Sequence, residues 1–181
     1  MEHRITELAA KGLGKAKAFK ADIQGFRGIF KTLTEEHGQA AVLLKRVVNT
    51  PDPKVRLDLW PKLRFQLLAH EHAEVNVLYP VLREEPKTRA LAEEHDAQAR
   101  DLEAVIGRLD RCSVHDPEWH AIAATLQQLV ERHVSEEEGK FFPQAQAALG
   151  AQRAMELNDF YFQGKPEAET APAKHDADAS S

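Results

Sequence analysis

The sequence predicts an all-α protein: an antiparallel up-down four-helix bundle with an N-terminal helical arm and a disordered C-terminal tail. Apolar residues recur at spacings of three, four and seven along four long segments, which is the period of a helix with one buried face. No segment alternates convincingly like a strand, and no Asn-Gly or Asp-Gly hairpin turn occurs. A chain of 181 residues, 43% of them hydrophobic and 29% charged, has the size and balance of one soluble globular domain.

The ends of the helices are predicted from prolines and capping residues. The long helices are expected at residues 22–48, 61–82, 87–111 and from Asp116 to about residue 143. Thr50-Pro51-Asp52-Pro53 ends the first, because a proline disfavours the helical conformation of the residue before it. We place Pro61 in the first turn of the second helix, and Pro80 should kink its last turn. Asp116 should cap the fourth, with Pro117 at its first position.

The chain divides into four parts by composition and periodicity. Residues 1–21 form a basic helical arm, 22–150 the bundle, 151–164 a short C-terminal helix and 165–181 a tail. The tail has no aromatic or large aliphatic residue, so we expect it to be disordered. The net charge is −5 although the arm is basic, and the acidic bundle argues against a nucleic-acid partner. We interpret the basic arm as a solvated helix.

Several classes of protein are excluded by what the sequence lacks. No apolar run approaches the roughly 18 residues that cross a bilayer. The first residues contain no apolar core of a signal peptide, so a cytoplasmic location is expected. The single cysteine, Cys112, cannot form an intramolecular disulfide, a thiolate zinc site or a cysteine-ligated iron–sulfur cluster. Nothing in the sequence predicts the oligomeric state.

Each long helix carries one histidine on its apolar stripe near mid-length: His37, His70, His95 and His133. Any one of them would ordinarily be a core histidine with a polar partner. The second and fourth helices, however, share a three-point pattern, with a glutamate four residues after the histidine and a proline ten residues after it. The pattern reads His70, Glu74, Pro80 in one helix and His133, Glu137, Pro143 in the other. Residues four apart lie one turn apart on the same helix face, so each helix offers an imidazole and a carboxylate together.

Four imidazoles and two carboxylates buried together predict a metal site, because ionised carboxylates in an apolar core cost several kcal/mol each. Nitrogen and oxygen donors suit iron and, less specifically, manganese or zinc. Six ligands are too many for one ion that must also bind a substrate, which favours two ions. If Glu74 and Glu137 bridge them, His37 and His70 bind one ion and His95 and His133 the other. The Glu-x-x-His pattern of ferritin-like bundles and the His-Glu-x-x-His pattern of zincins are both absent.

The remaining polar residues near this pattern are assigned to the surface or to supporting positions. His72 should face away from the site, since it lies about 200° around the helix from His70. His3, His115, His120 and His175 are also assigned to the surface. The acidic residues Glu71, Glu136 and Glu138 are expected to be solvated or to support the ligands from outside. Tyr79 is a possible proton donor.

The order and spacing of these residues resemble the hemerythrin-like (HHE cation-binding) domain over about residues 22–150. The endings Val77-Leu78-Tyr79-Pro80 and Lys140-Phe141-Phe142-Pro143 are also typical of that family. The resemblance implies a non-haem di-iron centre of two Fe ions, oxo- or hydroxo-bridged, with metal ligands His37, His70, Glu74, His95, His133 and Glu137. Oxygen-carrying members have a fifth histidine where this chain has Ala99. Gln98 and Glu94 flank the wrong faces, and the alternative is that one of them swings in to replace that histidine.

The resemblance implies a protein that binds and reacts with dioxygen, hydrogen peroxide or nitric oxide. The missing fifth histidine favours redox turnover or sensing over simple oxygen carriage. Peroxidase-like, catalase-like or nitric oxide-handling activity is therefore one hypothesis. An oxygen- or iron-sensing, or oxygen-binding, module without turnover is the alternative, and iron storage is a weaker one. The expected partner is a small diatomic or peroxide ligand.

Overall fold

The structure is a computed structural model that describes residue 22 and residues 25–164. The predicted arm at 1–21 and the predicted tail at 165–181 therefore lie outside the described residues. The described residues are all-helical and contain no strand. Their α-helices are α1 (Ile29–Asn49), α2 (Pro53–Ala73), α3 (Tyr79–Glu84), α4 (Arg89–Arg111), α5 (Pro117–Glu136) and α6 (Phe142–Gly164).

The first helix begins later than predicted, at Ile29 rather than at residue 22. Two glycines precede it in the left-handed region, with φ of 78° at Gly25 and 53° at Gly28. A Cβ on Gly28 would lie 2.1 Å from the carbonyl oxygen of Ala154, so this turn brings the start of α1 against the second half of α6. The close approach requires glycine, and the helical period alone does not reveal it.

The second helix begins earlier than predicted, at Pro53 rather than at residue 61. The Asp52 side chain accepts a hydrogen bond from the Lys54 amide at 2.9 Å and caps the helix, with Pro53 in its first turn. Asp52-Pro53 is thus a start signal, not part of the preceding stop. Pro61 lies inside α2 on its exposed side, where the carbonyl that loses a partner can bond to water.

The remaining helix ends agree more closely with the sequence. Asp116 caps α5 by accepting a hydrogen bond from the Glu118 amide at 2.8 Å, and Pro117 is its first residue, which confirms the predicted cap. α4 starts within two residues of the predicted position and ends at Arg111. Gly150, with φ 77° and ψ 165°, interrupts α6, and a helical segment follows it as far as residue 164.

The four long helices contact one another in a closed ring, α1 with α2, α2 with α4, α4 with α5 and α5 with α1. Two apolar clusters fill the interior: a tryptophan cluster that includes Trp60 and Trp119, and a phenylalanine cluster that includes Phe30 and Phe141. Along α1 and α4 the phenylalanine cluster comes first, and along α2 and α5 the tryptophan cluster comes first. In every long helix the sequence-predicted histidine lies between the two clusters, so the histidines form one polar layer.

A search of the described helices finds none that is long and apolar enough to span a membrane. The up-down order of the helices and the disorder of the tail stay predictions.

Candidate metal centre

A π-helical turn follows each of the two repeated histidines. One runs from Glu74 to Leu78 and the other from Glu137 to Phe141, so each begins at the glutamate of the pattern. Each turn closes through a bond five residues long, from the Tyr79 amide to the Glu74 carbonyl and from the Phe142 amide to the Glu137 carbonyl. A proline follows immediately in both cases. Proline cannot donate the ordinary helical bond, and a wider turn before it accommodates the unpaired carbonyls.

The extra residue in the first π turn changes which side chains face the core. Leu78 and Leu82 are 1% exposed, whereas Val77 and Val81 are only partly buried. A regular helical period would place Val81 on the fully buried stripe, but Leu82 takes that position and Val81 packs against the phenylalanine cluster only partly buried. One inserted residue rotates the following turn by about 100°, which moves the buried face one position along the chain.

All six sequence-predicted site residues are buried, and the structure brings them together. Their potential ligand atoms form two groups, and within each group these atoms all lie within 4.8 Å of one another. One consists of His37, His70 and Glu137, and the other of Glu71, Glu74, His95 and His133. The histidines therefore divide into the same pairs that the sequence predicts.

Glu137 and Glu74 each contact histidines of both pairs. The Oε2 atom of Glu137 lies 3.1 Å from His37 Nε2 and 3.5 Å from His133 Nε2. The Oε2 atom of Glu74 lies 3.5 Å from His70 Nε2 and 3.6 Å from His95 Nε2. Both carboxylates thus stand between the two groups, where a bridging ligand would be.

Glu71 lies inside the cluster, which differs from the prediction made from the sequence. It was expected to be solvated or to support the ligands from outside, but it is 1% exposed and points into the cluster. Its Oε1 lies 3.2 Å from His95 Nε2 and its Oε2 3.8 Å from His133 Nε2, so it contacts only one histidine pair. Glu71 is only about 60° around the helix from Glu74, and this spacing was the signal that could have revealed it.

Three of the four histidines have an outer partner at Nδ1. His37 pairs with Glu138 at 3.1 Å, His70 with Glu36 at 2.9 Å and His133 with Gln98 at 2.8 Å. Each contact fixes the orientation of its ring and leaves Nε2 directed at the carboxylates. Of these three partners, only Glu138 was considered in advance: it was expected either to be solvated or to support the ligands from outside, and the second alternative agrees with the structure.

The two residues considered beside Ala99 do not enter the cluster. Gln98 Oε1 accepts a hydrogen bond from His133 Nδ1, and the Gln98 amide donates to Glu136. Glu136 therefore supports His133 from outside through Gln98, which is one of the two alternatives considered for Glu136. Glu94 is bonded to Lys140 at 2.8 Å on the surface.

The unpaired polar atoms fit a metal. Among the described residues, the buried side-chain atoms without a hydrogen-bond partner include Nε2 of all four histidines and both oxygens of Glu71 and of Glu74. Among the described residues outside this cluster, the only buried side-chain nitrogen or oxygen without a hydrogen-bond partner is Nε1 of Trp119. Buried polar atoms are normally satisfied, so a convergence of unpaired nitrogen and oxygen donors indicates a cation site.

The electrostatics of the apoprotein agree with this interpretation. Burial, and then the charge of Glu137, raises the pKa of Glu71 to about 8, and the same causes raise the pKa of Glu74 well above its usual range. Burial lowers the pKa of His95 to about 4, which keeps its imidazole neutral. Burial alone would raise the pKa of Glu137, but His133 and His37 hold it below its ordinary value. Burial would lower the pKa of His37, but Glu137 and Glu138 outweigh burial and raise that pKa to about 9, so a charged imidazole accompanies the ionised Glu137. The two further carboxyl groups resist ionisation, which indicates that this one positive charge does not balance the cluster.

Two tyrosines lie against the site. Tyr79 stacks on the His95 ring with centroids 3.6 Å apart and donates to Glu137 Oε1 at 3.0 Å. Burial raises the pKa of Tyr79 well above its usual range, so the hydroxyl stays a donor. Tyr161, in the last part of α6, donates to Glu36 at 2.7 Å. Tyr79 was predicted from the sequence as a possible proton donor, whereas no spacing in the sequence pointed to Tyr161 or Glu36.

The histidines assigned to the surface behave as expected where the structure describes them. His72, His115 and His120 are exposed, and His72 lies 3.6 Å from Glu103 on the outside of the bundle. His3 and His175 lie outside the described residues.

A cavity of about 20 Å³ adjoins the cluster, which is room for about one water-sized molecule. His37, His70, Glu71 and His133 line one side of it. Its other walls include the apolar residues Ala40, Leu67, Leu102, Val130 and Val134. On the outside, a groove between α1 and α5 shares His37, Val130 and Val134 with this cavity.

One comparison with known proteins, against models of protein families, identifies a family. The model of the hemerythrin HHE cation-binding domain matches residues 19–145, which is well over half of the chain. Neither the curated proteins nor the solved structures that were searched gave a match. The matched range contains all four histidines and all three glutamates of the cluster, and the chain therefore belongs to the hemerythrin HHE cation-binding domain family.

Proposed function

We propose that the chain holds two non-haem iron ions and uses them to bind and react with dioxygen, hydrogen peroxide or nitric oxide. The observation that carries the proposal is the convergence of four unpaired Nε2 atoms on carboxylates shared between two histidine pairs. We infer that the helices run alternately up and down, because the two apolar clusters occur in opposite order along successive long helices. A cytoplasmic location stays a prediction from the sequence.

The ligand set of this proposal differs in one residue from the set predicted by sequence. His37 and His70 would bind one ion and His95 and His133 the other, with Glu74 and Glu137 shared between them. Glu71 would be a further ligand of the ion at His95 and His133, because it approaches only those two histidines. It thereby supplies a donor that Ala99 cannot. The two ions would have four and five protein ligands, so the more open one is at His37 and His70.

The surrounding residues would prepare the site for small oxidants. The outer partners of the histidines hold Nε2 toward the metal, and the apolar cavity walls exclude bulk water. The cavity admits one water-sized molecule, which fits a diatomic or peroxide ligand better than an organic substrate. A bound iron pair supplies the electrons that reduction of such a ligand requires.

The test is anaerobic loading with ferrous iron, followed by metal counting and by optical spectra during additions of dioxygen and hydrogen peroxide. We expect about two iron ions per chain and sustained loss of peroxide. The His70→Ala protein should lose its iron, whereas His72→Ala, a matched change two residues away on the exposed face, should keep it. Full iron content in His70→Ala would contradict the assignment of the site.

A sensor without turnover is the second candidate, and one contact favours it. Tyr161 connects the end of α6 to Glu36, which in turn holds His70. Loss of metal at His70 could then loosen the segment after Gly150. This candidate predicts little peroxide consumption and faster proteolysis of residues 151–164 in the apoprotein than in the iron-loaded protein.

A further inference from the structure

The two π turns place an aromatic ring at the same point of each repeat. Tyr79 follows Glu74 by five residues, and Phe142 follows Glu137 by five residues. Tyr79 stacks on His95 with an angle of 20° between the rings. Phe142 lies nearly parallel to His37, at 10°, with centroids 5.8 Å apart. The aromatic ring of each repeat thus covers a histidine of the pair to which the repeat's own histidine does not belong.

The two rings differ in one functional group. The Tyr79 hydroxyl donates to Glu137 Oε1 at 3.0 Å, across the bundle from its own helix. Phe142 has no hydroxyl to offer in return. Within the described residues, neither oxygen of Glu74 has a hydrogen-bond partner, and for Glu137 only Oε2 lacks one. One of the two shared carboxylates therefore accepts a hydrogen bond from a tyrosine hydroxyl, and the other does not.

We infer that Tyr79 is a positioning residue that fixes Glu137 before any metal arrives, and so strengthens the first of two metal-binding steps but not the second. This inference rests on the proposed two-ion site. Glu137 Oε2, the oxygen without a hydrogen bond, faces one histidine from each pair, His37 at 3.1 Å and His133 at 3.5 Å. An ordered Glu137 consequently assists whichever ion enters first. Once that ion is bound it fixes Glu137 by itself, and the hydroxyl adds little to the second step.

The size of the effect follows from what the hydroxyl does. Removing a hydrogen-bond partner of a metal ligand typically weakens metal binding about 10-fold to 100-fold. Tyr79 is fully buried and its ring packs on His95, so Tyr79→Phe removes the hydroxyl and keeps the packing. We expect the first association constant to fall about tenfold and the second to stay within about threefold of the original value.

The experiment is an anaerobic calorimetric titration of the full-length apoprotein with Co²⁺, for the original chain and for Tyr79→Phe. Thr88→Val is the matched control, since it also removes a buried hydroxyl, but one that donates to the Leu82 carbonyl at 2.8 Å and belongs to neither ligand group. The control should leave the ratio of the two constants unchanged. Thermal unfolding of each apoprotein separates a loss of stability from a loss of positioning.

A second measurement uses the fact that the chain contains two tyrosines. In the Tyr161→Phe protein, 3-fluorotyrosine labels Tyr79 alone, and its fluorine NMR signal should move with the first equivalent of Zn²⁺. A signal that moves only with the second equivalent overturns the inference. So does a Tyr79→Phe protein with both constants unchanged, or with both reduced equally. If the original chain shows no two-step binding, the proposed two-ion site itself fails.

Discussion

Glu71 offers the sharpest test of the site, because its effects on stability and on metal binding have opposite signs. Burial, and then Glu137, raises the pKa of this carboxyl from 4.5 to about 8 in the apoprotein. Folding at pH 7 must therefore protonate a group that is ionised in the unfolded chain. At about 1.4 kcal/mol per pH unit, the 2.5 units between 4.5 and 7 cost about 3 kcal/mol.

The pH dependence of this cost has a definite direction. The folded-state pKa lies above the unfolded one, so the folded apoprotein binds more protons, and its stability falls as pH rises from about 4.5 to about 8. Glutamine resembles the protonated acid and does not titrate. Glu71→Gln should raise the apoprotein melting temperature by roughly 6–12 °C at pH 7 and by much less near pH 5.

The same substitution should weaken metal binding, since it replaces a carboxylate 3.2 Å from His95 Nε2 with a neutral amide. The rise in melting temperature on adding Fe²⁺ should accordingly be smaller for Glu71→Gln than for the original chain. Scanning calorimetry at pH 5 and pH 7, with and without anaerobic Fe²⁺, measures both effects. Glu93→Gln makes the same change on the exposed surface and should shift stability by less than about 0.5 kcal/mol. An apoprotein no more stable than the original, with unchanged metal binding, would refute the assignment of Glu71.

Two further changes test the cavity and the glycine turn. Ala40→Leu should fill the cavity of about 20 Å³, leaving iron content unchanged while the affinity of the loaded protein for azide, followed by optical titration, falls at least about tenfold; unchanged azide affinity would mean that ligands do not bind there. Gly28→Ala should destabilise the protein by about 2 kcal/mol or more in urea unfolding, because its Cβ would meet the Ala154 carbonyl oxygen at 2.1 Å. Gly25→Ala, with positive φ but nothing within 4 Å, should cost only about 1 kcal/mol, and equal losses would contradict the close approach.

The sequence was sufficient for the part of the site that repeats. His70 with Glu74 and His133 with Glu137 share a spacing that reflects one local structure, a helix that widens into a π turn before a proline. His37 could be found because its helix has a regular apolar stripe on which the histidine interrupts the core. Such features depend on local geometry, which spacing along the chain encodes directly.

The remainder depends on contacts between distant residues, which spacing does not encode. α1 begins directly after Gly28, whose backbone packs on Ala154, more than one hundred positions away in the sequence. In the sequence Glu36 is an ordinary charged residue of a helix, and only the folded chain brings the Tyr161 hydroxyl into contact with it. Glu71 directly follows the ligand His70, and it was expected to be solvated or to support the ligands from outside. Its burial becomes evident only when Glu74 and the neighbouring helices are considered together.

The two halves of the cluster resemble each other but differ at the positions that matter for reactivity. Val134 follows His133 as Glu71 follows His70, so one half places a carboxylate in the cluster where the other places an apolar wall of the cavity. A chain with glutamate at both positions would replace an apolar wall of the cavity with a second carboxylate. A chain with valine at both would leave the cluster one carboxylate poorer in negative charge. Under the proposed function, this difference reserves one ion for holding the pair together and leaves the other, at His37 and His70, accessible to a small oxidant.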